Sequence, residues 1–312
     1  MNKFPSLSLA ILGSGWSGSG ALIDLLKRQS LVSGYPLELD FWRRPNGLHE
    51  LKTQRELLIF FGNESFLAIT KIFKTFCKLL IDPLNIRTHL KGISIQLKMM
   101  LLMLASLVST IFTSNVQSKK INFIKAFKFF FGRRGTVFIY DQAVFPEQIK
   151  NINLGDLNVD GCIIVLRDVF DQVQDLLNNS AYLKVNTIRE SFFLGAVGDF
   201  GSDPNSLQLN LMLLTLQDRI RQIRELVTTY PDSFLIVKFE DLIENTDLVI
   251  SNVNRFLELK GFPQAFIECN DANKVFCNSR KNIGIGKQTH WAHLSLMEEI
   301  NNDVQFLVSK FG

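Results

Sequence analysis

The feature that most constrains this chain is a short apolar run, Leu7–Leu12, that leads through Gly13-Ser14-Gly15-Trp16-Ser17-Gly18-Ser19-Gly20 into a helical pattern beginning Ala21-Leu22-Ile23-Asp24. A buried strand joined to a helix by a glycine-rich turn is a phosphate-binding arrangement. Glycines let the backbone approach a ligand, and the helix start supplies unpaired N–H groups at the positive end of its dipole. Four further runs read as strands: about Leu37–Phe41, Val137–Tyr140, Cys162–Leu166 and Phe234–Lys238. Most are continuously apolar, as strands covered on both faces are. Helical patterns separate them, at Gly18–Arg28, Val169–Leu177, about Ser206–Thr229, Leu248–Leu259 and about Ser295–Lys310. The predicted fold class is therefore α/β, a parallel sheet of about five strands with helices on both faces.

From about Gly47 to Gly135 the alternation stops. This stretch holds three helical patterns, near Glu64–Leu80, Ile93–Phe112 and Asn122–Phe131, and no convincing strand. It reads as a helical insertion, residues 47–135, between strands two and three of one domain spanning residues 1–312. Within it, Met99–Phe112 is nearly uncharged but shorter than the ~20 residues a membrane span needs, so a buried helix is expected. The Lys-Phe-rich run Lys119–Arg134 reads as an amphipathic helix with solvated lysines. Peripheral membrane contact through the insertion is the other expectation it raises.

Composition narrows the function. With 34 basic and 30 acidic residues the chain carries +4, too mild a balance to imply a nucleic-acid partner, though it suits an anionic ligand held in one local site. Cys77, Cys162, Cys269 and Cys277 are scattered, which fits a reducing compartment. Met1–Pro5 gives way directly to the first strand without a signal-peptide pattern, so a cytoplasmic location is expected. His290 and His293 stand at i, i+3 but lack further ligands, so no metal site is expected.

The glycine-rich turn admits three phosphate ligands. Gly13, Gly15 and Gly18 satisfy G-x-G-x-x-G, and Glu38 lies 20 residues past Gly18, where a ribose-binding acid belongs in an NAD(P)-dependent oxidoreductase. The long helical stretch that follows does not continue that motif's compact βαβαβ unit. Gly13 to Gly18 also gives G-x-x-x-x-G, but Ser19 stands where an ATP-hydrolysing site needs lysine.

The third reading comes with a family resemblance. Ser17-Gly18-Ser19, the segment Ile163-Ile164-Val165-Leu166-Arg167-Asp168-Val169-Phe170-Asp171, the run Phe234-Leu235-Ile236-Val237-Lys238-Phe239-Glu240-Asp241-Leu242 and the loop Ser279-Arg280-Lys281-Asn282-Ile283-Gly284 occur in the order seen in sulfotransferases. The chain resembles those that use 3′-phosphoadenosine 5′-phosphosulfate, whose fold is P-loop-like. The likeness covers roughly the first 30 residues and Val137 to the end. It implies that Ser14, Gly15, Trp16, Ser17, Gly18, Ser19 and Gly20 cradle the 5′-phosphosulfate. It further implies that Arg167 holds the 3′-phosphate with Asp175 beside it, and that Arg280 and Lys281 add charge there. Two positions depart from the pattern. Trp16 replaces a basic residue that stabilises the leaving oxygen, and Asp175 replaces a serine. Those departures raise the alternative of a catalytically weakened nucleotide-binding module. Glu240 and Asp241 are expected to organise a turn.

Catalytic candidates come from the strand ends. Glu38 and Asp40 follow the expected phosphosulfate position and are the first choices for a general base, with His49 and Asp141-Gln142 behind them. Arg43 or Arg44 would replace the charge missing at Trp16. The expected reaction is sulfuryl transfer to a hydroxyl acceptor, a carbohydrate or glycolipid.

Overall fold

Five strands form one all-parallel sheet: β1 (Leu7–Gly13), β2 (Val32–Gly34), β3 (Val137–Asp141), β4 (Gly161–Leu166) and β5 (Phe234–Lys238), in the order β2-β3-β1-β4-β5. The computed structural model describes residues 7–14, 17–35, 47–48, 51–81, 85–112, 115–141, 159–178, 204–262, 276, 279–286, 291 and 293–312. The apolar runs are continuous because consecutive residues feed opposite faces. Ala10, Leu12, Tyr140, Cys162, Ile164 and Ile236 enter one core, whereas Leu9, Ile11, Ile139, Ile163, Val165 and Val237 enter the other.

Helix α1 (Ser19–Lys27) covers the second face with α7 (Phe239–Glu244) and α8 (Thr246–Leu259). The first face is covered by α5 (Val169–Asn178), α6 (Pro204–Thr229), α9 (Leu294–Phe311) and the insertion. The insertion comprises α2 (Gln54–Ile81), α3 (Ile86–Phe112) and α4 (Val116–Phe131), following β2 as expected.

Two expectations about strands and helices need correction. The second strand is Val32–Gly34, earlier than Leu37–Phe41, which lies outside the described residues. Its Val-Ser-Gly sequence makes no apolar run. It is held at the sheet edge by pairing to Val137–Ile139 and by a 2.6 Å hydrogen bond between the Ser33 and Thr136 hydroxyls. The helix containing Met99–Phe112 is not a buried one. Met99, Leu102, Met103 and Thr110 face inward, but most of its length is exposed.

The lysines of α4 also differ from expectation. Lys119, Lys120 and Lys128 are buried, and the Lys119 ammonium donates to the Thr110 carbonyl at 2.8 Å. Burial lowers the pKa of Lys119. It brings that of Lys128, whose ammonium lies 5.7 Å from the Tyr140 ring centre, to about 8 despite the opposing field of Asp160.

Candidate functional site

The strand order sets where a ligand can sit. Chain connections leave the adjacent strands β1 and β4 toward opposite edges of the sheet, so their carboxyl ends, paired at Gly13 and Val165, flank a crevice at a topological switch point. The neighbour of β1 on its other side is β3, not β2. This departs from the 3-2-1-4-5-6 order of dinucleotide folds and removes the structural basis of the G-x-G-x-x-G reading.

The turn after β1 leads directly into the start of α1. Gly18 has φ 86°, a left-handed conformation that L side chains resist, and its carbonyl accepts the Ala21 N–H at 2.9 Å to start α1. A Cβ on Gly18 would fall 2.0 Å from the Phe239 ring, and one on Gly13 would fall 2.2 Å from the Ser17 hydroxyl. Ser17 is buried, and its Oγ has no hydrogen-bond partner. A buried hydroxyl left unsatisfied is costly, and here it stands at the N-terminal end of α1. Ser14 is also buried. Its carbonyl accepts from Arg219 Nη1 at 3.0 Å and its hydroxyl accepts from Gln172 Nε2 at 3.1 Å. Gly15 and Trp16 lie outside the described residues, as do Glu38, Asp40, Arg43, Arg44, His49 and Gln142.

Arg167 follows β4 and is buried. Its Nη1 donates to Asp175 Oδ2 at 2.7 Å, its Nη2 to the Asn282 carbonyl at 2.6 Å, and its Cζ lies 4.9 Å from the centre of the Phe239 ring. Phe239 thus touches both Gly18 and Arg167 and joins the two parts of the site. Asn282 Nδ2 also donates to Asp175 at 3.2 Å. The ion-pair partner is therefore Asp175, and neither Asp168 nor Asp171 fills that role. Asp168 instead caps α5 by accepting from the Phe170 and Asp171 N–H groups. Asp171 accepts the N–H groups of Gly284 at 2.6 Å and Gly286 at 2.9 Å. These bonds seat the C-terminal loop on α5, where Gly286 approaches the Phe170 carbonyl too closely for any side chain. Arg280 and Lys281 are exposed in the short turn just before Asn282.

Glu240 ties the ends of β4 and β5 together by accepting the Asp168 N–H at 3.0 Å. Burial raises its pKa, partly offset by that hydrogen bond.

Sequence reasoning passed over Arg219, Gln172, Phe239, Asn282 and the roles of Asp171 and Glu240 in positioning the site. A signal for Arg219 exists. It stands three residues after Leu216 and four before Ile223, on the apolar side of α6, where a solvated arginine does not belong. Among the described residues no group of His, Cys, Asp and Glu suits a metal ion.

No protein-family model matches the chain, and no curated protein matches it in sequence. Among solved structures it is similar to the sulfotransferase domain from the Synechococcus PCC 7002 olefin synthase. The TM-score is 0.52 at 13% sequence identity, covering 97% of this chain and 96% of that one. The architecture is thus a sulfotransferase-like α/β fold with a helical insertion after its second strand.

Proposed function

We propose that the protein transfers a sulfuryl group from 3′-phosphoadenosine 5′-phosphosulfate to the hydroxyl of a carbohydrate or glycolipid. The observation that carries this reading is the buried, unpartnered Ser17 hydroxyl at the start of α1, joined through Gly18 and Phe239 to Arg167 at the switch point of a sulfotransferase-like sheet. The residues fit an anion at the 5′ end: Ser17, the Gly18 turn and the first amides of α1 would hold it. Arg167, Arg280 and Lys281 would hold the 3′-phosphate. In the reaction the acceptor oxygen attacks sulfur, forming a new S–O bond. The bond from sulfur to the 5′-phosphate oxygen breaks, and that oxygen keeps the electron pair. Glu38 or Asp40 would take the acceptor's proton. Arg43 or Arg44 would stabilise the charge on the departing oxygen.

A second reading, a nucleotide-binding module with weakened catalysis, is favoured by one observation. Asp175 already neutralises Arg167, the guanidinium meant for the 3′-phosphate. The two separate in a transfer assay with sulfur-35-labelled donor and a panel of glycan and glycolipid acceptors. Turnover by the parent that falls at least ~10²-fold in Arg43→Ala or Arg44→Ala supports the enzyme. An inactive parent that gains turnover only as Trp16→Arg supports the module.

A further inference from the structure

We propose that the α2–α3 hairpin is a docking surface for an anionic lipid bilayer, lying in the plane of the membrane interface. The two helices pack antiparallel: Gln54 Nε2 donates to the Thr110 carbonyl at 2.8 Å, and a Cβ on Gly92 would lie 3.7 Å from the Thr75 methyl. The hairpin outgrows the domain that supports it. Between Ala68 and Met99 no described side chain is buried, and Ile95 is the last residue of α3 toward the tip that packs on the core among the described residues, so about 13 residues of α2 and about 9 of α3, roughly 14–20 Å at 1.5 Å per residue, stand clear of it.

The hairpin exposes two apolar stripes. On α2, Ile59, Phe66, Ile69, Phe73 and Phe76 form one stripe, with Phe66 72% and Phe73 67% exposed. On α3, Leu90, Leu97, Leu101, Leu104, Val108 and Ile111 form another, at spacings of three, four and seven. Helix α3 is long and apolar enough to cross a bilayer by length and composition alone. A soluble surface seldom carries so continuous an apolar face unless something covers it.

Charge identifies the cover. Residues 65–112 contain Lys71, Lys74, Lys78, Arg87, Lys91 and Lys98 against one acid, Asp82. Lys98 turns back toward α4, reaching the Phe130 carbonyl at 3.5 Å. Lys71, Lys74 and Lys78 form a row at i, i+3, i+7 on the side of α2 away from its apolar stripe, and Arg87 and Lys91 form a row at i, i+4 beside that of α3. An apolar stripe on one side with cations on the other or beside it matches an interfacial helix, whose basic side stays at the headgroups while its apolar face enters the acyl boundary. Lys78 and Arg87 near the tip oppose tip-first insertion and favour lying flat. A second copy of the chain fits less well, because pairing two hairpins would bring like charges together, and the described residues 65–112 offer no carboxylate to receive them. This inference stands apart from the sulfuryl-transfer reading.

The test is sedimentation of the full chain with sucrose-loaded vesicles, either pure phosphatidylcholine or containing about 30% phosphatidylserine, at about 10 mM and about 1 M salt. Binding at low salt is expected to be at least ~10-fold stronger to the anionic vesicles. Lys71→Glu/Lys74→Glu/Lys78→Glu should lose at least ~10-fold of it. Phe66→Ser/Phe73→Ser/Leu101→Ser/Val108→Ser should abolish binding in both salts. Circular dichroism should remain that of the parent in both variants, since the altered side chains are exposed. Absence of binding to anionic vesicles at low salt overturns the proposal, as does binding that survives both variants. A dimer that the serine variant dissociates, without vesicle binding by the parent, assigns the surface to a second copy and also overturns it.

Discussion

Asp175→Asn tests the contact that sets the state of the site. The substitution keeps the side chain's shape and removes its charge from a guanidinium that is only 2% exposed. Two unit charges about 4 Å apart at an effective dielectric of about 20 attract by about 4 kcal/mol. Stripping one member from a buried pair costs about 3–5 kcal/mol. The Asn282 carbonyl still accepts from Arg167, and an amide oxygen at position 175 can accept as well, so the lower end of that range applies. Urea unfolding followed by circular dichroism is the assay. With a slope of about 2–3 kcal/mol per molar, a loss of about 3 kcal/mol lowers the midpoint by about 1–1.5 M. A second arm adds 3′-phosphoadenosine 5′-phosphate. Its 3′-phosphate should take the place of the missing carboxylate, so the variant should bind it with a lower Kd, and one matched concentration of about 100 times the variant's Kd should return about 2.7 kcal/mol to the variant and less to the parent. The nucleotide should therefore stabilise the variant more than the parent. An unchanged midpoint refutes the buried-pair argument. An equal nucleotide effect in parent and variant removes Arg167 from the anion site.

Gly18→Ala should cost about 1–2 kcal/mol for the left-handed backbone and a further 1–3 kcal/mol for the clash with buried Phe239, and it should weaken nucleotide binding; urea midpoints and calorimetric titration check both. Arg219→Met leaves the Ser14 carbonyl without this charged donor, so about 1.5–3 kcal/mol of stability should be lost along with nucleotide affinity, whereas loss of stability with normal affinity would place Arg219 outside the site. Lys128 has a folded pKa of about 8, below its unfolded value of about 10.4. The unfolded chain binds more protons between those values, so stability should rise with pH across that window. In Lys128→Met this contribution should be missing from melting curves recorded between pH 7 and 10. The same rise in both proteins would contradict it.

How much of this was legible in the sequence depends on what each residue packs against. Strands β1, β3, β4 and β5 were readable because both faces are covered, so most positions are apolar. Strand β2 was not, since an edge strand of Val, Ser and Gly has no apolar signature and is defined by its partner β3. The order of strands, which decides between nucleotide folds, arises from long-range pairing that no local pattern encodes. Arg167 was visible as a strand-end arginine, but an ion pair on paper pointed to its near neighbours Asp168 or Asp171, with Asp175 expected beside the phosphate. Geometry separates them, because Asp168 is used by the start of α5 and Asp171 by the loop amides. The α4 lysines look like surface residues in any one-dimensional reading. Only the packing of the hairpin against α4 shows that Lys119 and Lys128 are inside.

The most direct measurement of the central claim compares melting shifts of the parent protein with 3′-phosphoadenosine 5′-phosphate, NADH, NADPH and ATP at matched concentration. A ligand that binds the native state raises its apparent stability by mass action. The glycine-rich turn proposed to hold the anion, without a lysine at Ser19 and joined through Phe239 to Arg167, predicts the largest shift for the adenosine bisphosphate and none for ATP. A larger shift with NADH or NADPH, or one with ATP equal to that of the bisphosphate, would contradict the account.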